Sequence, residues 1–390
     1  MVKKGFKKTE IGLIPEDWEV ISLGNFCEIK DGTHQTPKYV SVGIPFYSVE
    51  NVTANDFENT KFISEEEHKR LTKNFRIEKD DILMTRIGSI GVCKLVDWDI
   101  NASFYVSLAL LKIKNKVLPK YFVQYSKLEN FKKEIEINAL QFAYPQKINL
   151  GEISKIRIAL PPTKPEQEAI AKVLSDTDTL IEKLEQLIAK KRNIKTATMQ
   201  QLLKPKEGWE VKKLGDCTNC LDNLRFPLND SQRLSMKGDY PYCGANGILD
   251  YINDYRIDDE VILIAEDGGY FDEYATRPIA YKMKGKFWVN NHAHILKAKP
   301  EYEQDFIFYS LVHKNILTFL ASGTRAKLNK SEMYKLEIDT PKDKTEQTRI
   351  AQILTDMDNE IEVLAIKLNK YKMLKQGLMQ VLLTGKIRLV

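Results

Sequence analysis

Cysteine is scarce in this sequence, and long apolar runs are missing from it. The 390 residues include five cysteines, and such sparse, odd-numbered usage in a long chain is typical of a reduced, cytoplasmic protein. No stretch of 18 apolar residues occurs, so we expect no transmembrane helix. The basic N-terminal residues are not followed by an apolar segment, so no signal peptide is predicted.

Motifs of phosphate-binding and methyl-transferring enzymes are also missing. The sequence has no GxxxxGK(S/T) loop, no GxGxxG after a predicted strand, and no Asn/Asp-Pro-Pro-aromatic motif. Cys217, Cys220 and Cys243 could supply three zinc ligands, but a fourth is not evident. His292 and His294 share one face of a predicted strand and would need further ligands to hold a metal. We therefore expect no catalytic residues and no bound metal.

Charge and composition leave the function open. The net charge of +5 is compatible with nucleic-acid binding, but many lysine-rich proteins are merely soluble. A content of 43% hydrophobic and 29% charged residues is typical of a globular protein. The length predicts two to three domains.

The main feature that is present is an internal repeat. Residues 166–203 and 346–383 align without gaps at an offset of 180, with 16 of 38 positions identical. Upstream, residues 18–24 recur in part as residues 209–215, at an offset of 191. The offsets differ by 11 residues, so the ends of the two copies match while their middles diverge. Such a repeat suggests one scaffold that carries two different binding surfaces.

Both repeated segments predict long helices that begin with a cap and carry a coiled-coil seam. Thr163 and Asp343 each precede a glutamate by three residues, which predicts a capping box. Apolar residues then recur at alternating spacings of four and three. The seam residues predicted to pack are Ile170, Leu174, Ile181, Leu184, Ile188, Ile350, Leu354, Ile361, Leu364 and Leu368. Lys195 and Lys375 share one seam position, where a lysine can set the register. The shared register favours helices that pack on each other, the alternative being that each packs only on its own domain.

Residues 1–160 and 205–340, which we call the first and second heads, predict a mixed α/β (α+β) fold. Both heads alternate short apolar runs with turn residues, and the two long helices are assigned to 161–204 and 341–390. The predicted strands include 81–85, 91–96, 106–113, 260–265 and 287–289, and the predicted helical stretches are 119–137 and 303–320.

Corresponding loops in the two heads are rich in polar residues and glycine. Residues 85–91 follow a predicted strand as residues 265–270 do, and 147–149 match 327–329. Such side chains can contact base edges or phosphates, although ordinary turn chemistry also explains them. The residues predicted to contact DNA are Thr33, His34, Arg86, Ser89, Tyr144 and Lys147 in the first head. In the second head they are Asn246, Asp267, Asn291, His292, Arg325 and Lys327.

Several further motifs follow one another along the whole length of the chain. They are TEIGLIPEDWEV at 9–20 with Leu23-Gly24, Leu160-Pro161-Pro162 followed by EQxxIA at 166–171, EQxxIA again at 346–351, YCGANGI at 242–248, FWVNNHAH at 287–294 and LLTGK at 382–386. Taken together, these motifs resemble those of the specificity subunit of type I restriction-modification systems. The second copy departs from the first with Thr340-Pro341-Lys342 in place of Leu-Pro-Pro.

The resemblance implies that each head is a target-recognition domain that reads one half of a bipartite, asymmetric DNA site. It implies that the helices form an antiparallel spacer related by pseudo-two-fold symmetry. It also implies docking of two DNA-methyltransferase subunits, which would recruit restriction subunits. S-adenosylmethionine, ATP and magnesium would be bound by those partners and not by this chain. Two other readings remain open: a scaffold that assembles partners without reading DNA, and a metal-dependent catalyst that uses His292 and His294.

Overall fold

The computed structural model describes residues 4–114, 116–321 and 326–389. The chain folds into two compact units. The first unit comprises Met1–Glu185 with Lys367–Val390, and the second comprises Gln186–Ile366. Each unit therefore combines one head with a part of both long helices. No described helix has an apolar stretch long enough to cross a lipid bilayer.

The first head contains small sheets and short helices. Its strands are β1 (Phe6–Thr9), β2 (Gly12–Pro15), β3 (Glu19–Ser22), β4 (Cys27–Asp31), β5 (Tyr39–Val40), β6 (Ile44–Tyr47), β7 (Lys61–Ile63), β8 (Ile82–Thr85), β9 (Cys93–Leu95), β10 (Ser103–Phe104), β11 (Leu108–Ile113) and β12 (Arg157–Leu160). Its helices are α1 (Leu23–Phe26), α2 (Val49–Ala54), α3 (Glu65–Leu71), α4 (Pro119–Tyr125), α5 (Glu129–Asn138) and α6 (Leu150–Ile153), after which α7 (Lys164–Leu202) begins.

The second head has fewer and longer strands. They are β13 (Trp209–Lys213), β14 (Thr218–Cys220), β15 (Lys237–Gly244), β16 (Gly247–Ile252), β17 (Ile257–Ala265), β18 (Ala280–Val289), β19 (Ala293–Ala298) and β20 (Glu337–Pro341). The helices are α8 (Leu214–Cys217), α9 (Asp230–Ser235), α10 (Gln304–Leu311) and α11 (Lys330–Met333), followed by α12 (Lys344–Leu382).

The two heads share a frame of paired strands. In the first head the order β4-β11-β8-β9 forms one antiparallel sheet, and β12 pairs with β3. The second head repeats this as β14-β19-β17-β18, with β13 paired to β20. Beyond the frame the heads differ, because β15 and β16 extend the second sheet whereas β10-β6-β7-β5 form a separate sheet in the first. The mixed α/β fold with an internal repeat is confirmed.

A glutamine inside each long helix ties that helix to its own head. Buried Gln167 accepts from the backbone N–H of Leu118 at 2.9 Å and donates to the carbonyl of Pro161. Gln347 does the same with the N–H of Glu303, at 2.9 Å, and the carbonyl of Pro341. Because Leu118 and Glu303 each precede a helix, the amide satisfies a backbone donor that such a helix start leaves free.

The predicted long helices are found at α7 and α12, and they pair within each unit. In the first unit Asp178 of α7 is bonded to Lys375 of α12, and Glu185 lies 2.6 Å from Lys372. In the second unit Lys195 of α7 is bonded to Asp358 of α12, and Lys191 lies 2.7 Å from Glu360. Residue numbers rise along one helix as they fall along the other, so the pairing is antiparallel. Each seam lysine thus bonds an aspartate that the repeat places in both helices.

The predicted seam residues play two roles. Ile170 and Leu174 belong to the core of the first head, together with Leu382 from the end of α12. Ile350 and Leu354 belong to the core of the second head, together with Met199 from the end of α7. Further along, Leu184 and Ile188 are buried, and the seam is then half-buried at Ile181, Ile361, Leu364 and Leu368. Each long helix therefore packs on its own head and also on the other helix, so the alternative in which it packs only on its own head is wrong.

Three local expectations differ from the structure. The helical stretch predicted at 119–137 is two helices, α4 and α5, because the backbone turns from Tyr125 to Leu128. In the stretch predicted to be helical at 303–320, the α-helix ends at Leu311. The capping glutamates do not bend back onto their helix starts. Glu166 is instead paired with Arg388, and Glu346 accepts a hydrogen bond from the indole N–H of Trp209, so each carboxylate is used in a tertiary contact.

Candidate nucleic-acid interface

In the first head, a glycine-containing loop follows β8 and is held by the segment that precedes α6. The carbonyl of Arg86 accepts from the N–H of Ile148 at 3.0 Å, and Ile87 forms a backbone bridge with Lys147. Gly88 comes next, at a φ of +83° that favours glycine. These contacts bring the predicted residues around Arg86 and Lys147 to one place.

The side chain of Arg86 points inward rather than to solvent. It is 3% exposed, its Nε donates to the carbonyl of Val106 at 3.1 Å, and its guanidinium lies 3.6 Å from the Asp31 carboxylate. Asp31 also bonds the ring of His34 at 2.7 Å, and this ring is 70% exposed. Arg86 thus holds Asp31, which holds His34, so Arg86 positions the cluster in this structure. A base contact by Arg86 itself stays a prediction that its burial disfavours.

The other predicted residues of the first head lie around this centre. Thr33 is bridged to Tyr105, and its carbonyl accepts from the N–H of Val106. The carbonyl of exposed Ser89 accepts from the hydroxyl of Thr85. Tyr144 is fully exposed. We call Asp31, Thr33, His34, Arg86, Ser89 and Lys147 the first cluster.

The second head repeats this backbone arrangement at an offset of 180. The carbonyl of Glu266 accepts from the N–H of Leu328 at 2.7 Å, and Asp267 is bridged to Lys327. Gly268 follows with a φ of +65°, as Gly88 does in the first head. The loop geometry is therefore part of the shared frame, whereas its side chains are not.

Predicted residues of the second head meet on this loop. His292 Nδ1 lies 2.6 Å from a carboxylate oxygen of Asp267, and the ring is 43% exposed. The side-chain amide of Asn246 donates to the carbonyl of Gly268 at 2.8 Å. Asn291 is exposed beside His292. Arg325 lies outside the described residues. We call Arg225, Asn246, Glu266, Asp267, Asn291, His292 and Lys327 the second cluster.

Three charged members of the second cluster form a largely buried network with Asp222. Glu266 bonds Arg225 and lies 2.8 Å from the ammonium of Lys327, while Arg225 lies 3.0 Å from Asp222. Burial would raise the pKa of Glu266, but the hydrogen bonds from Lys327 and Arg225 lower it below its usual value. Glu266 therefore stays ionised at neutral pH.

His294 belongs to the same network. Its Nδ1 lies 2.6 Å from Asp222, and its Nε2 donates to the carbonyl of Leu328 at 2.8 Å. Burial opposes the charged ring, but these bonds and that of Cys220 outweigh it and raise the pKa of His294 to about 9. His292 and His294 thus bond different aspartates and do not form a joint metal pair.

Three side chains that could ligate a metal lie close together in the second head. They are Cys220, Asp222 and His294, whose ligand atoms lie within 4.8 Å of one another. Neither Cys217 nor Cys243 belongs to this group, so the zinc set considered from the sequence is not assembled among the described residues. The guanidinium of Arg225, 3.0 Å from Asp222, already supplies a positive charge there. The arrangement fits an internal ion-pair network better than a cation site.

Sequence reasoning missed Asp31 and Asp222, which organise the two clusters. Both occupy the same place at the offset of 191 that relates Trp18 to Trp209. Each bonds a side chain three residues later, His34 or Arg225. The repeat could have revealed this pair, because a shared aspartate within a divergent region stands out at that offset.

Both heads match a known family of domains. The family model for the type I restriction modification DNA specificity domain matches twice, at residues 15–191 and 206–371. The chain belongs to this family. Each match contains one head with the beginning of the long helix that follows it, which is the repeat described above.

Curated relatives and a solved structure agree with this membership. The chain is 28% identical to a putative type I restriction enzyme MjaX specificity subunit of Methanocaldococcus jannaschii, over 99% of this chain and 97% of that protein. It is 38% identical to a putative specificity subunit, S.HindORF215P, of Haemophilus influenzae, over 40% of each chain. The crystal structure of a type I S subunit from M. genitalium aligns at 17% identity and a TM-score of 0.70, covering 98% of this chain and 97% of that one. That structural likeness shows the fold alone.

Proposed function

We propose that this specificity subunit reads a bipartite, asymmetric double-stranded DNA site, one half-site with each head. The observation that carries the proposal is the pair of matching loops. The bridges Ile87–Lys147 and Asp267–Lys327 build the same loop geometry in both heads, while Arg86 and Glu266 give the two loops different centres. A shared frame with different side chains is suited to two different half-sites.

The individual DNA contacts remain predictions. Those best placed to reach DNA are the exposed or half-exposed residues His34, Ser89, Tyr144, Asn291 and His292. Lys147 and Lys327 are half-exposed at the bridges and are suited to phosphate contacts. Arg86 would act through Asp31 and His34.

We also propose that the long helices dock two DNA-methyltransferase subunits, through which restriction subunits join. In the second unit α12 exposes Val363 and Ile366, and in the first unit it exposes Met373 and Leu374. Exposed apolar side chains on a helix surface favour a protein partner. This subunit would itself be non-catalytic, with S-adenosylmethionine, ATP and magnesium bound by its partners in the cytoplasm.

Methylome sequencing of the host with and without this gene tests the proposal. We expect a motif of two specified parts separated by unspecified bases, and its methylation should vanish when the gene is deleted. Substitutions confined to the second cluster should alter only one of the two parts. Methylation that survives deletion, or a motif that changes in both parts, would contradict the proposal.

A scaffold that does not read DNA is tested separately. The complex with its methyltransferase is mixed with the methylome-derived site and with a scrambled duplex of the same length in a gel-shift experiment. We expect stronger binding to the site. Equal binding to both duplexes would favour the scaffold.

A further inference from the structure

His292 is held more firmly than a surface histidine usually is. Its backbone N–H donates to the side-chain oxygen of Asn290 at 2.8 Å, and its carbonyl accepts from the N–H of Glu266 at 2.9 Å. Its ring is fixed by Asp267, which is itself bridged to Lys327. Backbone and ring are thus fixed before any ligand arrives, so binding would lose little side-chain entropy.

The bond to Asp267 also fixes which ring nitrogen carries the proton. A carboxylate only accepts hydrogen bonds, so Nδ1 must be the donor at 2.6 Å. In the neutral ring Nε2 is then unprotonated and is a hydrogen-bond acceptor. Among the residues that the structure describes, none is hydrogen-bonded to Nε2, and the ring is 43% exposed. The second head therefore offers one oriented acceptor at its surface.

The charged groups around the ring balance one another. Asp267 bonds it directly, and Glu266 lies next in the chain. Lys327 faces them across the bridge, and Arg225 reaches the carbonyl of Asn291 at 3.4 Å. Both cations are also bonded to Glu266, so neither is spare to bond the ring.

From this geometry we infer that His292 is a specificity-determining residue of the second head, and that its Nε2 accepts a hydrogen bond from the exocyclic amino group of an adenine or a cytosine. These amino groups are the hydrogen-bond donors that bases present in the major groove. Asp267 is the positioning residue that sets the tautomer. The inference rests on the proposed function, since it assumes that this head reads DNA.

The first head does not present the same feature. His34 bonds Asp31 through Nε2, the nitrogen at the tip of the ring, and so leaves only Nδ1 beside its own backbone. The carboxylate therefore lies at the end of the ring that would have to reach a base. His34 is accordingly the matched comparison for His292.

The test measures the base preference of the full chain assembled with its methyltransferase, by methylation of a randomised duplex library. We expect H292A to relax one position of one half-site, where adenine or cytosine is preferred, by roughly tenfold. H34A should leave that position unchanged. D272N, which removes an exposed carboxylate from the same head, is the control for loss of charge.

The variant D267N gives the sharper result. An asparagine beside a histidine keeps the geometry but favours the other tautomer, in which Nε2 carries the proton. We expect the preference at that same position to change from adenine or cytosine towards guanine or thymine, which offer acceptors there. A merely structural role for Asp267 would lower methylation without changing the preferred base.

The outcomes separate the inference from the proposed function. A wild-type motif that persists in both H292A and D267N, or the same relaxation in D272N, overturns the inference alone. Relaxation of the whole half-site together with a lower melting temperature also overturns it, because this indicates a structural effect. A wild-type complex that methylates without any sequence preference overturns the proposed function and the inference together.

Discussion

The two heads have the same backbone frame, but the side chains at its centre carry charges of opposite sign. In both, a glutamine ties the long helix to the head, a glycine follows the bridged loop residue, and an aspartate bonds a histidine or an arginine three residues later. At the end of the central strand, however, the first head buries Arg86 and the second buries Glu266. The frame is therefore independent of the sign of the charge at its centre.

The partners of these central residues show how the change of sign is accommodated. Arg86 is near Asp31, whereas Glu266 is bonded to Arg225 and Lys327. In the second head the residue at the strand end is Glu266, which carries the same charge as Asp222, and Asp222 bonds His294 instead. In the first head Ala109 occupies the strand position of His294, since Met84 pairs with Ala109 as Ile264 pairs with His294. A change at one buried position thus involves at least two others.

Reversing the central charges should have the largest effect. R86E would place a carboxylate against Asp31, and E266R would place a guanidinium against Arg225. Because each substitution places two like charges against each other at a largely buried position, we expect unfolding free energies to fall by about 3–5 kcal/mol. Urea unfolding of the full chain measures this, with R86K and E266Q as the milder controls. A loss below about 1 kcal/mol would show that the stability of each head does not depend on the sign of the charge at this position.

The second-largest effect should be a pH dependence of stability that arises in the second head. The pKa of His294 is raised from 6.5 to about 9 in the folded chain. Its contribution to stability is therefore fully present below pH 6.5 and is lost as the pH rises through 9. The shift corresponds to about 3 kcal/mol.

The variant H294A tests this contribution, with A109H in the first head as a probe of the corresponding position. Urea unfolding at pH 6.5 and pH 9 should show a smaller pH-dependent loss for H294A than for the wild-type chain. An equal loss in both would assign the pH dependence to other groups.

Smaller effects are expected where the two helices are paired. Lys375 bonds Asp178, and Lys195 bonds Asp358. The two aspartates differ in the other side chains that bond them. Asp178 keeps Lys127 at 2.9 Å, and the hydrogen bonds of Lys375 and Lys127 lower its pKa despite burial. Asp358 keeps only the hydroxyl of Tyr309 at 2.7 Å among its described partners.

Because a second cation remains beside Asp178, K195A should destabilise the chain more than K375A does. Double-mutant cycles with D358A and D178A should give coupling energies of about 0.5–1 kcal/mol, as these pairs are partly exposed. K191A, which breaks a more exposed pair, is the control. Equal effects of K195A and K375A would mean that Lys127 does not compensate.

The long helices and the repeated frame could be predicted because their signals are local or occur at a fixed offset. The seam at 170–188 and 350–368 follows from spacing alone, and the loops before Gly88 and Gly268 follow from the repeat. The corresponding strands β8 in the first head and β17 in the second could also be predicted from their apolar runs. Such features need no knowledge of which distant residues meet.

The centre of each cluster could not be predicted for the opposite reason. Arg86 lies far along the chain from Asp31, and Glu166 is paired with Arg388 near the other end of the sequence. An arginine on a polar loop resembles a DNA-contacting residue unless its buried partner is known. The turn between α4 and α5 was missed because its residues are individually compatible with a helix.

The smallest expected effect concerns the lysines at the two bridges. Lys327 lies 2.8 Å from Glu266, whereas the ammonium of Lys147 has no ion-pair partner in the described part of the chain. Lys147 is therefore free to neutralise a phosphate, while Lys327 is already partly neutralised. K147A should reduce the slope of log affinity against log salt by about 1, and K327A should reduce it by less. Titrating the assembled complex with its DNA site at several salt concentrations measures both slopes. If K327A has the larger effect, the ion pair with Glu266 opens on DNA, and the shared backbone bridge then determines the phosphate contact in both heads.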